Sequence, residues 1–177
     1  MRLLISLLAL WMLAAPTPVH AADITSVPAG LNSEAVQAFK RGLELHKAKA
    51  WKDAIVEYEH ALALGGRFPE AFNNLAYCYR KVGMVDKAID LYRVAIALRP
   101  IFVQAHDYLA RAYLTKGDKD AALHEYEIVR RLDQKLAVCL WAAIQHNDPD
   151  YHDMPWGSSM APVPVVPAGA MLSAALL

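Results

Sequence analysis

The amino-acid sequence predicts an all-α protein, a right-handed α-solenoid of three helix-turn-helix units with a C-terminal capping helix. Two observations predict it. Residue types recur every 34 residues, as at positions 42, 76 and 110, and residues typical of helix ends stand between the recurrences. A period of this length is typical of stacked helical pairs, in which each unit buries its apolar face only against its neighbours.

Several columns of residues share this period. Small residues occupy positions 42, 76 and 110 and positions 54, 88 and 122, tyrosine occupies 58, 92 and 126, and leucine occupies 64, 98 and 132. Small side chains let paired helices approach closely. The tyrosines, together with Leu45, Tyr79 and Tyr113, are spaced to fill the gaps between units. The columns therefore predict layers in which small side chains meet large ones.

The expected turns contain the residues that end and begin helices. Gly83 and Gly117 stand where the first helix of a unit should end, and glycine adopts the left-handed closing conformation at least cost. Asp86 falls in the first turn of the following helix, where a negative charge suits the helix dipole. Pro100 ends the second unit as a helix breaker. In the first unit, Lys49 replaces the turn glycine.

These residues make the segment from about Ala35 to Gln134 similar to three tetratricopeptide repeats (TPRs). The predicted boundaries are repeats at about residues 35–68, 69–102 and 103–134, a cap at 135–145, and a Pro-rich flexible tail at 146–177. The cap is predicted because the apolar residues Leu136, Leu140, Trp141 and Ile144 have the spacing that covers the last exposed face of a solenoid.

The N-terminus has the layout of a secretory signal. Arg2 precedes the apolar run 3–15, and a polar segment with prolines follows it and ends in small residues at Val19 and Ala21. We expect cleavage of residues 1–21, a linker at 22–32, and a periplasmic or secreted mature chain. The run is shorter than the ~20 residues that span a bilayer, so an uncleaved anchor is the less favoured alternative.

The charge balance argues against one class of partner, and the positions of the two cysteines argue against a disulfide. The 18 basic residues balance 18 acidic ones. This argues against nucleic acid as a partner, because such binding depends on neutralising phosphates. Cys78 and Cys139 invite a disulfide in an exported protein. They lie two repeat steps apart, however, which places their Cα atoms beyond the ~7 Å that a disulfide allows. We expect two buried, free thiols.

The sequence favours a protein that is not an enzyme and has no cofactor. No serine occurs between Ser33 and Ser158, the repeat geometry places no histidine near either cysteine, and no phosphate loop or zinc spacing is present. The alternative is a metal- or ligand-handling accessory protein that uses segment 146–154. Its candidate ligands are His146, Asp148, Asp150 and His152. The Asn-Asp-Pro sequence in this segment is also ordinary turn chemistry.

The resemblance to TPR proteins implies a binding surface, because the first helices of that family line a concave groove for an extended peptide or a partner helix. The matching groove positions are Leu43, His46, Lys47, Asn73, Asn74, Tyr77, Arg80, Lys81, Asp107, Tyr108, Arg111 and Leu114. Amide, tyrosine and arginine side chains suit peptide backbones and carboxylates. Alternatively, the two asparagines and Tyr77 serve repeat packing, and the basic residues form a solvated face.

One subgroup of the family grips the acidic C-termini of cytosolic chaperones with a lysine and an asparagine in the first unit, an asparagine in the second, and a lysine and an arginine in the third. The matching residues here are Phe39, Leu43, Asn74, Gln104 and Tyr108, and only the asparagine of the second unit agrees. The sequence therefore predicts an exported adaptor for another protein or peptide. Self-association through the groove or the apolar end of the tail is a further alternative.

Overall fold

The structure, a computed structural model, describes residues 32–65 and 68–151. These ranges contain no strand and the following α-helices: α1 (Ser33–Lys47), α2 (Trp51–Ala63), α3 (Pro69–Lys81), α4 (Val85–Leu98), α5 (Val103–Lys116), α6 (Lys119–Leu132) and α7 (Gln134–His146). The predicted signal peptide, the linker before Asn32 and the tail beyond Tyr151 lie outside the described residues. No helix in the described ranges has the length and apolarity needed to cross a membrane.

The helices pair in chain order. α1 packs on α2, α3 on α4, and α5 on α6, and α7 then packs on α6 and α5. Each pair also contacts the next one, through α2 and α3 and through α4 and α5. This arrangement confirms the predicted all-α solenoid of three helix-turn-helix units with a capping helix.

The first helices of the units form the closer row of the stack. α5 contacts α3 and α7 in addition to its own partner, whereas no comparable contact joins α2, α4 and α6 within residues 32–65 and 68–151. A stack whose rows differ in spacing curves toward the closer row. The concave surface is therefore built by α1, α3 and α5, with α7 at its end.

The small and large columns interlock as predicted. All alanines of the two small columns are fully buried, and Tyr58, Tyr92 and Tyr126 are buried beside them. A Cβ atom built on Gly42 would lie 2.6 Å from Cε1 of Tyr58. A methyl group does not fit at that separation without moving a tightly packed ring. Glycine at position 42 therefore lets α1 approach α2.

The turn inside each unit contains a residue in the left-handed conformation. Gly83 and Gly117 have φ angles of 85° and 83°, and Lys49, at the matching place in the first unit, has a φ of 58°. A residue with a side chain pays about 1–2 kcal/mol for this conformation. The first unit keeps the geometry of the other turns although it lacks their glycine, so the packing of the helix pair determines the turn.

Side-chain caps mark where several helices begin. Asn32 accepts a hydrogen bond from the backbone N–H of Glu34 at the start of α1. Asp118 does the same for Ala121 at the start of α6. Asp133 ends α6 and caps α7, because its carboxylate accepts from two backbone N–H groups of the next turn. These caps satisfy donors that the helices themselves leave unpaired.

The last helix covers the apolar face of the third unit. Leu140 and Ile144 are fully buried in one cluster with Leu114 and Tyr126. Trp141 packs on Tyr126 with ring centroids 5.1 Å apart. α7 therefore covers the third unit in the same way as the second and third units cover the units that precede them.

Candidate partner-binding groove

The groove residues predicted from the sequence fall into two groups. One group is buried and contains Leu43, Asn73, Asn74, Arg80, Asp107, Arg111 and Leu114. The other group is half-buried or exposed and contains His46, Lys47, Tyr77, Lys81 and Tyr108. In the described structure, only the second group presents substantial side-chain surface to another molecule.

Four members of the buried group pack inside the solenoid. Leu43 and Leu114 belong to its apolar clusters. Asn73 donates from Nδ2 to Oδ1 of Asn74 at 3.3 Å, and Asn74 hydrogen-bonds Tyr58 on α2. The placement of the asparagines agrees with a role in repeat packing. A role in peptide binding stays a prediction for these residues.

Half-buried aromatic rings run across the concave side. His46 on α1 stacks on Tyr77 of α3, with ring centroids 4.8 Å apart and an interplanar angle of 19°, and Tyr77 contacts Tyr108 of α5 at 5.2 Å. Trp51, the first residue of α2, packs edge-on against His46 at 5.2 Å. We call Trp51, His46, Tyr77 and Tyr108 the aromatic belt. It offers rigid, amphipathic contact area of the kind that dominates binding surfaces.

The aromatic belt is uncharged at neutral pH. Burial raises the pKa of Tyr77, although Arg80 opposes the shift. Burial, helped by Asp107, raises the pKa of Tyr108 to about 12. Burial also lowers the pKa of His46. The phenols therefore keep their protons and the imidazole stays neutral, so the belt exchanges hydrogen bonds with a ligand without carrying charge itself.

Positive charge gathers beside Tyr77, an inner ring of the belt. The guanidinium of Arg80 lies 5.4 Å from the centroid of the Tyr77 ring, and Nζ of Lys81 lies 5.6 Å from it. Arg111, one unit further on, is held by Asp107, because its Nε lies 3.1 and 3.0 Å from the two carboxylate oxygens. We call Arg80, Lys81 and Arg111 the basic cluster. It suits a negatively charged ligand group.

The residues after α7 contact this cluster. We call Asp148–Tyr151 the C-terminal turn. Oδ1 of Asp150 accepts from Nη1 of Arg80 at 3.0 Å and from Nζ of Lys81 at 2.6 Å. Partial burial alone would raise the pKa of Asp150, but the bonds from Lys81 and Arg80 outweigh it and hold the pKa below its usual value. The carboxylate is therefore ionised over the physiological pH range.

The backbone of the C-terminal turn takes part as well. Nη1 of Arg111 donates to the carbonyl oxygens of Pro149 and Tyr151, at 3.0 and 3.4 Å. The ring of Tyr151 stacks on His146 at the end of α7, with centroids 4.3 Å apart. The turn therefore lies against the same basic residues that the sequence assigned to a partner.

The sequence gives no local signal for this contact. Asp150 is 70 residues from Arg80 and 69 from Lys81 along the chain. It drew attention in the sequence only as a potential metal ligand. Trp51 lies outside the repeating columns, at the start of a second helix, so its place beside His46 was also missed. Only the packing of neighbouring units brings these side chains together.

The candidate metal ligands do not converge in the described structure. His146 stacks on Tyr151, Oδ1 of Asp148 accepts from the backbone N–H of Asp150 at 2.9 Å, and the Asp150 carboxylate faces the basic cluster. No group of three or more His, Cys, Asp or Glu residues in the described ranges is arranged to hold a metal ion. His152 lies outside the described residues. The metal hypothesis therefore gains no support here.

The expectation that no histidine lies near a cysteine is wrong for Cys78. Its Sγ is 3.8 Å from Nδ1 of His46, which is also 3.5 Å from the Tyr58 hydroxyl. The stacking of α1 against α3 makes this contact, which the repeat columns did not reveal. Burial raises the pKa of Cys78 to about 12, so the thiol stays protonated and is no nucleophile. Both Cys78 and Cys139 are free thiols, but only Cys78 is buried. Cys139 is half-buried, because α7 has a neighbouring unit on one side only in the described structure.

His106, a buried histidine on α5, has a structural role. His106 Nδ1 lies 2.6 Å from a carboxylate oxygen of Glu125, and its Nε2 lies 3.0 Å from the carbonyl oxygen of Pro100. Burial lowers the pKa of His106, but the two acceptors outweigh this and raise the pKa above its usual value. Because both nitrogens face acceptors, the protonated ring satisfies both contacts, and these contacts favour it over the neutral ring. It therefore ties α5 to α6 and does not serve as a base.

Comparison with solved structures finds TPR domains. The second TPR domain of human RPAP3, in complex with the HSP70 peptide SGPTIEEVD, has a TM-score of 0.59 and 24% identity, and the match covers 63% of this chain and 95% of that one. PcrH, in complex with the chaperone-binding region of PopD, has a TM-score of 0.60 and 21% identity, with coverages of 67% and 94%. The Arabidopsis OM64 TPR domain has a TM-score of 0.60 and 16% identity, with coverages of 64% and 95%.

The structural likeness to these domains, at sequence identities below 25%, shows a shared fold. At the level of sequence, no curated protein matches the chain significantly. The model of the family described as the bacterial transcriptional activator domain, which is a TPR-like domain, matches residues 19–146. The repeating columns, the paired helices and the family match agree. The chain belongs to the bacterial transcriptional activator domain family, and its described helices form a TPR solenoid.

Proposed function

We propose that this protein is a non-catalytic adaptor that binds an extended peptide segment of a partner protein on its concave surface. The observation that carries the proposal is the aromatic belt, which crosses α1, α3 and α5 and adjoins the basic cluster at Tyr77. Two of the similar structures support it, since RPAP3 was solved with an HSP70 peptide and PcrH with a region of PopD.

The chemistry of the concave side suits a peptide. Tyr77 and Tyr108 supply flat contact area at a low cost in side-chain entropy, and their hydroxyls reach peptide carbonyls and N–H groups. The exposed Lys47 and the half-buried Lys81 stand on the same helices as the belt and favour acidic side chains. These features predict moderate affinity for an extended, partly aromatic and acidic segment.

Chaperone C-termini are not the expected ligands. Phe39 and Leu43 are buried apolar residues at the two first-unit positions where a chaperone-tail binder has a lysine and an asparagine. A buried apolar residue does not provide the charge-assisted bonds that such tails require. The partner should therefore be recognised through the belt and the basic cluster.

A peptide selected on the full chain from a random display library should lose at least tenfold in affinity when Tyr77 is replaced by alanine. A tenfold loss corresponds to about 1.4 kcal/mol, which is ordinary for a tyrosine at the centre of a binding surface. Isothermal titration calorimetry measures it. Tyr113→Ala is the matched control, because Tyr113 is also half-buried but its hydroxyl contacts Arg93 of α4 instead of the belt.

Circular dichroism of both variants verifies that the helices are intact before affinities are compared. If Tyr77→Ala binds the selected peptide as tightly as the unsubstituted chain does, the belt is not the binding surface. Equal losses in Tyr77→Ala and Tyr113→Ala would also contradict the proposal, because the effect would then come from the solenoid as a whole.

We further propose that the adaptor acts outside the cytoplasm. The charged start, apolar run and small residues of positions 1–21 support this. When the full chain is expressed in a bacterial host, mass spectrometry of the extracytoplasmic fraction should find a chain that begins at Ala22. Replacing Leu7 and Leu8 with arginine should leave a full-length chain in the cytoplasm. An unprocessed wild-type chain in the cytoplasm would contradict export.

A further inference from the structure

The C-terminal turn has a defined shape that faces the groove. Asn147 ends α7 in the left-handed conformation, with a φ of 52°. The Asp148 carboxylate then accepts from the N–H of Asp150 at 2.9 Å, and the N–H of Tyr151 donates to the Asp148 carbonyl oxygen at 3.1 Å. These bonds reverse the chain directly after the helix. The turn therefore presents its carboxylate and two carbonyl oxygens to the basic cluster.

This presentation resembles the way a peptide would be held. One carboxylate meets two cations, and two backbone carbonyl oxygens meet one arginine. The side chain of Arg80 is only 4% exposed, whereas that of Asp150 is 50% exposed. The basic side of the contact is thus built into the solenoid, and the acidic side lies at its surface.

We propose that the C-terminal turn is an internal ligand of the groove, and that the partner is an acidic, extended protein segment that displaces it. This inference rests on the proposed function and names the chemistry of its ligand. The partner places a carboxylate where Asp150 lies and backbone carbonyl oxygens where Arg111 donates. None of Arg80, Lys81 and Arg111 is one of the five residues that match the binding residues of the chaperone-tail binders, although Arg111 falls in the same repeat column as Leu43.

The contact suits displacement. The carboxylate of Asp150 is half-exposed, so another carboxylate can approach and take over its ion pairs with Arg80 and Lys81. The buried Arg80, whose Nε has no hydrogen-bond partner among the described residues, strongly disfavours an empty site. An incoming carboxylate is therefore needed when the turn leaves. While the turn occupies the site, a partner cannot bind there. The apparent affinity of the partner is therefore its intrinsic affinity multiplied by the fraction of chains in which the site is free.

The test uses the full chain and a peptide of its own residues 146–151, HNDPDY, added in trans. Two variants release the site: Asp150→Asn removes the carboxylate, and a Gly-Ser-Gly-Ser replacement of residues 148–151 removes the whole turn. Asp90→Asn is the matched control, because Asp90 is an exposed aspartate that forms an ion pair with Arg93 on its own helix α4. Binding is measured by NMR titration of isotope-labelled protein.

Both releasing variants should bind HNDPDY at least fivefold more tightly than the unsubstituted chain, with shifts at Arg80, Lys81 and Arg111. Asp90→Asn should match the unsubstituted chain, and the peptide HNDPNY should bind none of the proteins. Equal affinity of HNDPDY for all proteins, including no detectable binding to any, would overturn the inference. If the library-selected peptide still depends on Tyr77 but its affinity is the same in both releasing variants, this inference fails and the proposed function stands.

Discussion

Replacing Arg111 with methionine should lower the free energy of unfolding by about 3–5 kcal/mol, because it removes one partner of a buried ion pair. Arg111 is 2% exposed and Asp107 is 3% exposed, and Nε of the arginine lies about 3 Å from both carboxylate oxygens. Methionine fills a similar volume but leaves the buried negative charge without this cation. Urea denaturation of the full chain measures the loss.

The double variant Asp107→Leu with Arg111→Met separates charge from packing. It should recover most of the lost stability, since a buried ion pair replaced by apolar residues is often neutral. A single-variant loss below about 1 kcal/mol would mean that the pair behaves like an exposed one. A substitution of Arg111 would disturb the solenoid together with the groove. Tyr77→Ala is therefore the better test of binding.

Replacing Leu140 with alanine should lower the free energy of unfolding by about 2–5 kcal/mol. Leu140 is fully buried between α7 and the third unit, in one cluster with Tyr126 and Ile144. The substitution leaves a cavity where the cap meets the last repeat. Thermal or urea denaturation measures the loss.

Leu132→Ala is the matched control, because Leu132 is 42% exposed at the end of α6. An exposed position of this kind should change stability by about 0.5 kcal/mol or less. If Leu140→Ala lowers the free energy of unfolding by no more than about 0.5 kcal/mol, α7 does not act as the cap of the solenoid. A similar loss in both would mean that the apolar end of α6 is as important as the cap itself.

The repeat geometry was predictable because it depends on residues at fixed spacing. The column of Gly42, Ala76 and Ala110 predicts close helix contacts, and the structure places these residues there. The conformation of Lys49 could not be predicted from its residue type. It adopts the left-handed turn without being a glycine, because the helices on both sides require that turn.

The side chains that face the groove were harder to predict. The sequence identifies which helices line it, but a position on a first helix faces either the groove or the second helix of its unit, and a small rotation decides between them. Asn73 and Leu114 illustrate the buried outcome, and Tyr77 the half-buried one. The contact of Asp150 with Arg80 joins residues 70 positions apart, so no local pattern contains it.

The most direct measurement is the map of backbone chemical-shift changes that a library-selected peptide causes in the full chain. We expect changes at the belt, around His46, Tyr77 and Tyr108, and at the basic cluster, together with release of the C-terminal turn at Asp150. Changes confined to α4, α6 and the part of α2 after Trp51, on the opposite side of the stack, would contradict the claim that the concave surface binds the partner.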